Sequence, residues 1–428
     1  MTLFISLALI TALITFGLSL VIYRLAHRFR LYPKIRERDV HTRPTPRLGG
    51  VAMFLGVVGA VLVAWAFSAQ LPPLRIVFAN PEQILAILGA AALIVAIGVA
   101  DDIWDLDWMT KLAGQFIAAG LIAWKGVQIY ALPLGQQIVG TSLMSLIITI
   151  FAIVLVMNAI NFIDGLDGLV AGVALIANGV FFLYTYLLVQ QTSPSNYFNL
   201  ASVLAAIVVG ACAGFLPLNW HPARLFMGDA GALLIGLLMA TSAIAVTGQT
   251  NTAAITALGR SQLLPAFIPI ILPFAVLVIP LLDFGLAVVR RLRAGKSPFS
   301  ADRKHLHHRL LDMGHSHLHA VLILYGWTAV ASVGCLLYFV LPTYAGLPSW
   351  WATVFLAVGF IVCTVLTLAP LSRRKAVEAV SQATDAESPE ADRIAVLDPL
   401  DEASETRLAL DDDGDELEPE SLPIRRTP

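Results

Sequence analysis

The chain has 428 residues, of which 58% are hydrophobic and only 13% charged. With a mean hydropathy of +0.79, that composition excludes a set of soluble domains and points to a polytopic, all-α membrane protein. The net charge of −2 conceals a division: residues 371–428 carry 16 acids against 7 bases, and the remainder carries 13 acids against 20 bases.

Apolar runs long enough to cross a bilayer fall at about 3–23, 50–69, 84–100, 112–124, 143–159, 169–189, 200–216, 230–246, 263–289, 320–341 and 350–368. The first has no basic residue before it and is followed by Arg24, Arg28 and Arg30, the reverse of a cleaved signal peptide. It therefore reads as a retained span with its N-terminus outside. The fourth is short unless it extends through Lys111 at one end and Val127 at the other. An odd number of spans, eleven in this reading, puts 24 Lys and Arg on the inner side and three outside, Arg75, Lys125 and Arg260. This agrees with the positive-inside rule, so the C-terminus is expected in the cytoplasm. Residues 1–370 are then expected to form one transmembrane domain, the part of the chain that would carry any catalytic site. Residues 371–428, with the run Asp411-Asp412-Asp413-Gly414-Asp415-Glu416, have no apolar period to bury and are expected to be a disordered cytoplasmic tail. Cys212, Cys335 and Cys363 all lie in apolar runs without metal-ligand spacing and read as small packing residues.

The acids outside the tail are concentrated. Asp101, Asp102, Asp105, Asp107, Asp164, Asp167 and Asp229 all fall at expected inner ends of spans. Adjacent carboxylates repel unless a cation or a shared proton intervenes. Mg²⁺ takes one or two carboxylates together with phosphate oxygens and water, so Asp101-Asp102 suggests a metal-diphosphate site, with a solvated helix end as the plainer reading. The stretch Asn158-Ala-Ile-Asn161-Phe-Ile-Asp164-Gly165-Leu-Asp167-Gly168-Leu169 repeats polar groups at a spacing of three. Its two glycines are expected to end the helix and leave a loop of convergent donors and acceptors. In Phe226-Met227-Gly228-Asp229-Ala230-Gly231 the glycines allow close backbone approach, and Asp229 is either an N-cap or a ligand at a helix start. Asp302-Arg303-Lys304-His305-Leu306-His307-His308-Arg309 suits a diphosphate grip, with zinc as its rival. His315, His317 and His319 are weaker candidates. His41-Thr-Arg43-Pro-Thr45-Pro46-Arg47-Leu-Gly49-Gly50 brings bases to a diglycine, where they could equally anchor the chain to anionic lipid. Asp283, the one acid set within an apolar run, reads either as a wall of the site or as a structural partner of an inner-loop base.

Taken together, Thr45-Pro-x-x-Gly49-Gly50, Asp101-Asp102, the Asn158 to Leu169 stretch, Phe226-Met-Gly-Asp229-x-Gly231 and His305-x-His307-His308-Arg309 resemble the polyprenyl-phosphate N-acetylhexosamine-1-phosphate transferases, over about residues 45–310. The resemblance implies transfer of a sugar 1-phosphate from a UDP-sugar to undecaprenyl phosphate, releasing UMP and requiring Mg²⁺ or Mn²⁺. It implies Asp229 and Asp102 as metal ligands, and Asp101 as the acid that deprotonates or positions the lipid phosphate. Asn161, Asp164 and Asp167 match nucleotide-binding positions, Phe226 the ring that stacks on uracil, and Lys111 a phosphate-proximal lysine. Arg43, His305, His307, His308 and Arg309 complete the implied substrate contacts. Because Leu310 follows Arg309 where the phospho-N-acetylmuramoyl-pentapeptide transferases lead to an acid, the chain resembles the N-acetylglucosamine branch, which initiates cell-envelope polysaccharides. The expected partners are UDP-N-acetylglucosamine, undecaprenyl phosphate and the lipid of the bacterial cytoplasmic membrane, with no nucleic acid and with a homodimer left open. The peptidoglycan branch, an intramembrane prenyltransferase and a transporter stand as alternatives.

Overall fold

In the computed structural model, the described residues are 1–29, 45–129, 141–192, 199–249 and 310–386, with a few isolated positions between 285 and 295. They form helices and no strand: α1 (Thr2–Arg28), α2 (Gly49–Ala66), α3 (Pro72–Val77), α4 (Pro81–Trp104), α5 (Trp108–Trp124), α6 (Ser142–Ile163), α7 (Leu169–Thr192), α8 (Leu200–Asn219), α9 (Gly228–Gln249), α10 (His317–Val340) and α11 (Trp350–Ala386). Nine of these are long and apolar enough to cross a membrane. The expected ninth span, at 263–289, lies outside the described residues apart from Gly285 and Val289. The short fourth span is the 17-residue α5, which takes in Lys111 and carries its last backbone bond out to Val127, whose N–H donates to Ile122. The last helix runs on past residue 370 to Ala386, so the backbone at the start of the expected tail is helical. Residues 387–428 lie outside the described residues.

The helices divide by how much of them lipid can reach. The most apolar 18-residue window of α9 is 94% buried, whereas that of α11 is 11% buried. The sequences give the reason. In hydrocarbon there is no hydrophobic gain from bringing two apolar helices together, so close association depends on small residues that let backbones touch. The α9 sequence, Gly228-Asp-Ala-Gly231-Ala-Leu-Leu-Ile-Gly236-Leu-Leu-Met-Ala-Thr-Ser, supplies them, and α2, α4, α6 and α8 pack around it. A Cβ on Gly50 would come within 2.6 Å of the Ala230 carbonyl carbon, one on Gly236 within 2.6 Å of the Met157 Cα, and one on Gly98 would strike the Ala230 backbone. The same device seats α1. Gly210 and Gly214 of α8 meet the carbonyls of Ala8 and Ala12, and Gly56 of α2 meets the Thr15 hydroxyl.

Polar ends are closed locally. Asp107 caps α5 by accepting from Met109 N at 3.0 Å, Asn199 caps α8 through Ser202 N at 2.7 Å, and Ser316 caps α10 through His319 N at 3.3 Å. Asp105 ends α4 in the left-handed region, at φ 53°, with its N–H returned to the Asp101 carbonyl. These contacts assign Asp105 and Asp107 to chain reversal between α4 and α5. At the opposite end of that hairpin Lys125 pairs with Glu82 at 2.7 Å, on the exposed surface. Two of the three bases expected outside, Arg75 and Lys125, are thus in α3 and just after α5, at the end of the hairpin away from Asp101.

Because the approach of α2 to α9 leaves no room for a side chain, Gly50→Ala should lower stability by about 1–3 kcal/mol. Gly179→Ala, where an added Cβ meets nothing within 4 Å, should be neutral or slightly stabilising. Thermal unfolding of both variants in detergent checks the contrast.

Candidate active site

Five chain segments meet at one end of the bundle: the stretch before α2, the α4–α5 turn, the α6–α7 turn, the α8–α9 loop and the start of α10. The segment before α2 lies along the α8–α9 loop. Phe226 N donates to Pro46 O, Gly49 N to Phe226 O and Gly50 N to Met227 O, each at 2.9 Å. The last two bonds satisfy N–H groups that the start of α2 cannot satisfy within itself. Together the three bring Arg47 across the N-terminus of α9. Gly228, at φ 66°, is crowded by the Arg47 carbonyl and by Asp102 Oδ2, so no other residue fits there without both moving.

Three carboxylates from separate elements converge at this point. Asp102 lies in the last turn of α4, Asp164 just past α6 and Asp229 in the first turn of α9. Asp102 and Asp164 each feel the charge of Asp229 and that of Arg47. Asp102 Oδ2 is buried with no hydrogen-bond partner among the described residues. Such an orphaned carboxylate oxygen is costly on its own, and an all-oxygen donor set around it fits a hard divalent cation. Part of Asp164 reaches the surface, but its carboxyl lies among protein atoms. Burial, with Asp229 and Asp167 adding to it and Arg47 opposing, pushes the group up to about 7.

Asp101 faces differently from Asp102. It is buried, its Oδ1 accepts from Leu106 N at 2.8 Å, and its Oδ2 takes Lys111 Nζ at 3.1 Å. The same ammonium reaches Asp229 Oδ2 at 3.5 Å. Lys111, in the first turn of α5, therefore stands between two carboxylates from α4 and α9, where an arriving phosphate would find its charge partly matched.

The α6–α7 turn is fixed by other groups. Helix α6 continues through Asn161 to Ile163, and Gly168, at φ 74°, completes the turn before α7. Asn219 Oδ1 accepts from Gly168 N at 3.1 Å while its Nδ2 donates to Leu225 O at 3.0 Å, and the Tyr325 hydroxyl of α10 donates to Gly168 O at 2.5 Å. Asn158 is spent on packing, donating to Gln115 Oε1 of α5 and to Val154 O. Asn161 is half-buried in the last turn of α6, and Phe226 is half-buried beside the segment before α2. Asp167 is buried, and its Oδ2 meets His221 Nδ1 at 2.7 Å and Ala223 N at 3.1 Å. The His221 ring lies on that of His317, centroids 4.9 Å apart and planes at 16°. One ligand atom from each of Asp167, His221 and His317 falls within 4.8 Å of the others.

Among the sequence-derived candidates, Asp101, Asp102, Lys111, Asn161, Asp164, Asp167, Phe226 and Asp229 thus occupy this end of the bundle. Arg43, His305, His307, His308, Arg309 and Asp283 lie outside the described residues. Leu310, directly after Arg309, is buried against Leu166 and Leu169. Four participants had no role assigned from sequence: Arg47, Asn219, His221 and Tyr325. The first stands in a motif among other bases, and the other three have partners far away in the chain.

The fold defines an all-helical, multi-pass membrane protein, and the family model described as Glycosyl transferase family 4 matches residues 84–247. The chain belongs to the polyprenyl-phosphate N-acetylglucosamine-1-phosphate transferase family. It is 40% identical over 370 residues to decaprenyl-phosphate N-acetylglucosaminephosphotransferase of Mycolicibacterium smegmatis, covering 86% of this chain and 88% of the relative. The same enzyme of Mycobacterium leprae is 39% identical over 332 residues, 76% of this chain and 81% of the relative. A probable undecaprenyl-phosphate N-acetylglucosaminyl 1-phosphate transferase of Bacillus subtilis is 30% identical over 321 residues, 74% and 79% of the two chains.

The raised Asp164 carboxyl has a consequence for stability. Relative to the unfolded chain at 3.8, the folded state holds this proton more tightly, so the group's contribution is fully present below pH 3.8 and is lost as pH rises through about 7. Asp164→Asn, which mimics the protonated group, should therefore exceed the wild type in thermal midpoint by a smaller margin at pH 5 than at pH 8, both in chelator. Adding Mg²⁺ should reverse the order at pH 8, as read by thermal unfolding.

Proposed function

We propose that the protein transfers N-acetylglucosamine 1-phosphate from UDP-N-acetylglucosamine to a polyprenyl phosphate, releasing UMP and initiating a cell-envelope polysaccharide. The observation that carries this reading is the convergence of Asp101, Asp102, Asp164 and Asp229 from three elements around Lys111 and Arg47, with one carboxylate oxygen of Asp102 left orphaned. Such a site suits an anionic reaction that needs a cation and two bases to proceed. The relatives' names supply the sugar and the lipid class. The sequence alone favoured undecaprenyl phosphate, and the 40% identical relatives are named for decaprenyl phosphate. The two lipids differ only in tail length, so the acceptor proposed is the polyprenyl phosphate headgroup, and both are compared below.

In the proposed reaction a lipid phosphate oxygen attacks the β-phosphorus of the nucleotide sugar. The bond from that phosphorus to the bridging oxygen breaks, and UMP leaves with the bridging oxygen. Asp102 and Asp229 would hold Mg²⁺ or Mn²⁺, with Asp164 beside them; a divalent ion there supplies charge neutralisation for the diphosphate. Lys111 balances the charge of Asp101 and Asp229 and lies where it can turn to a phosphate. Asp101, held by Leu106 N and Lys111, orients the lipid phosphate, whose own ionisation at neutral pH makes a strong base unnecessary. Asn161, Asp164 and Asp167 line the nucleotide side with Phe226 as the ring for the base. Arg43, His305, His307, His308 and Arg309 would grip the diphosphate and sugar, and buried Leu310 anchors the chain next to that segment. The charge tally supports a cytoplasmic active face in the bacterial inner membrane.

Purified full-length protein in lipid, given Mg²⁺, decaprenyl or undecaprenyl phosphate and UDP-N-acetylglucosamine, should release UMP. Release of UDP, or of UMP only from UDP-muramoyl-pentapeptide, would refute the assignment. Asp229→Asn should lower turnover by roughly 100-fold or more with membrane insertion intact; near-normal turnover would remove Asp229 from the site. A reporter fused to the C-terminus should read cytoplasmic, and an external signal would refute the orientation.

A further inference from the structure

We infer that His221 is the positioning residue for Asp167, and that His317 of α10 holds the His221 ring in place, so that a prealigned carboxylate receives the nucleoside of the nucleotide sugar. This rests on the proposed function in one respect, that Asp167 lies on the nucleotide side.

The geometry is that of a support. Asp167 has a side-chain exposure of 3%, and two donors, His221 Nδ1 at 2.7 Å and Ala223 N at 3.1 Å, converge on one of its oxygens. Two donors on one oxygen fix both side-chain torsions of an aspartate. A carboxylate held this way pays no reorganisation when a ligand N–H or O–H arrives, and uracil and ribose offer both kinds of donor. His221 could not hold that direction alone, because its side chain is 42% exposed and it sits in a loop between α8 and α9. The ring of His317 supplies the missing constraint by stacking on it. His317 is the first residue of α10, behind the Ser316 cap, and α10 is itself tied to the α6–α7 turn through Tyr325 and Gly168. The carboxylate, its imidazole support and the second imidazole therefore come from three elements that are locked to one another.

The same three residues have the composition of a transition-metal site, but the stacking argues against that use. Imidazole nitrogens bind a metal in the plane of the ring, and two nearly parallel planes stacked face to face do not direct their lone pairs to one point. His221 Nδ1 is also directed at the carboxylate.

The test uses the full-length protein in lipid nanodiscs, with steady-state kinetics in both substrates and calorimetric binding of UDP in Mg²⁺. His221→Phe keeps a ring for His317 but removes the donor. It should raise KM for the nucleotide sugar roughly 10-fold and weaken UDP binding equally, as expected for loss of a hydrogen bond to a carboxylate, with kcat and the KM for polyprenyl phosphate within about 3-fold of wild type. His221→Asn, whose Nδ2 overlies Nδ1, should restore most of the loss. His317→Ala should give a smaller rise in the same KM, and it serves as the test if His221→Phe does not fold. Equal damage from Phe and Asn, or a fall in kcat without a change in nucleotide KM, would overturn the inference. So would tight zinc binding that requires His221. Wild-type protein that binds UDP and turns over while the variants match it would refute this inference and leave the proposed function standing. Wild-type protein that neither binds UDP nor releases UMP would refute both.

Discussion

Mutual repulsion among converging carboxylates is the constraint on which the site end depends. Asp101, Asp102, Asp164 and Asp229 cannot lie so close together unless the elements carrying them are held by something stronger. That something is backbone contact. Gly50 and Gly98 let α2 and α4 touch the first turn of α9 with no side chain between them, and Gly236 does the same for α6. A membrane helix gains little from burying Leu against Leu, whereas direct backbone contact yields dispersion and allows no sliding. The acids are thus fixed by residues that carry no charge and take no part in chemistry. Lys111 offsets part of the repulsion, and the orphaned oxygen of Asp102 marks what remains unbalanced.

Much of this was legible in the sequence. The spans followed from hydropathy, because lipid tolerates only segments that satisfy their own backbone. The candidate site was proposed from motifs whose order along the chain, rather than any one motif, is distinctive, and the described members of that set lie at one end of the bundle. The glycines of Gly49-Gly50 and Gly228 could be picked out, but what each one faces could not, since that depends on helices far apart in the chain. Asp105 and Asp107 looked like members of the acidic cluster and are a left-handed helix end and an N-cap. Those roles are local, and the crowd of neighbouring acids obscured them.

The links among Asp167, Asn219, His221 and His317 had no sequence signal at all. Asp167 and His221 are 54 positions apart, with two complete membrane helices, α7 and α8, between them. No periodicity connects residues in different loops, and a lone histidine beside a proline does not announce its partner. The α5 boundary was uncertain for a related reason. Lys111 weakens the apolar pattern at the end of the helix where its ammonium leaves the apolar zone to meet Asp101 and Asp229.

The unequal contact of the helices with lipid bears on how the protein meets membranes of different thickness. Hydrophobic mismatch acts on surfaces that touch acyl chains, and α11 and α1 present far more of such surface than α9. A thinner or thicker bilayer is therefore met first by tilting of the outer helices, while α9, on which the carboxylates are hung, is shielded by its neighbours. The chain separates the part that must adapt to its solvent from the part that must hold still.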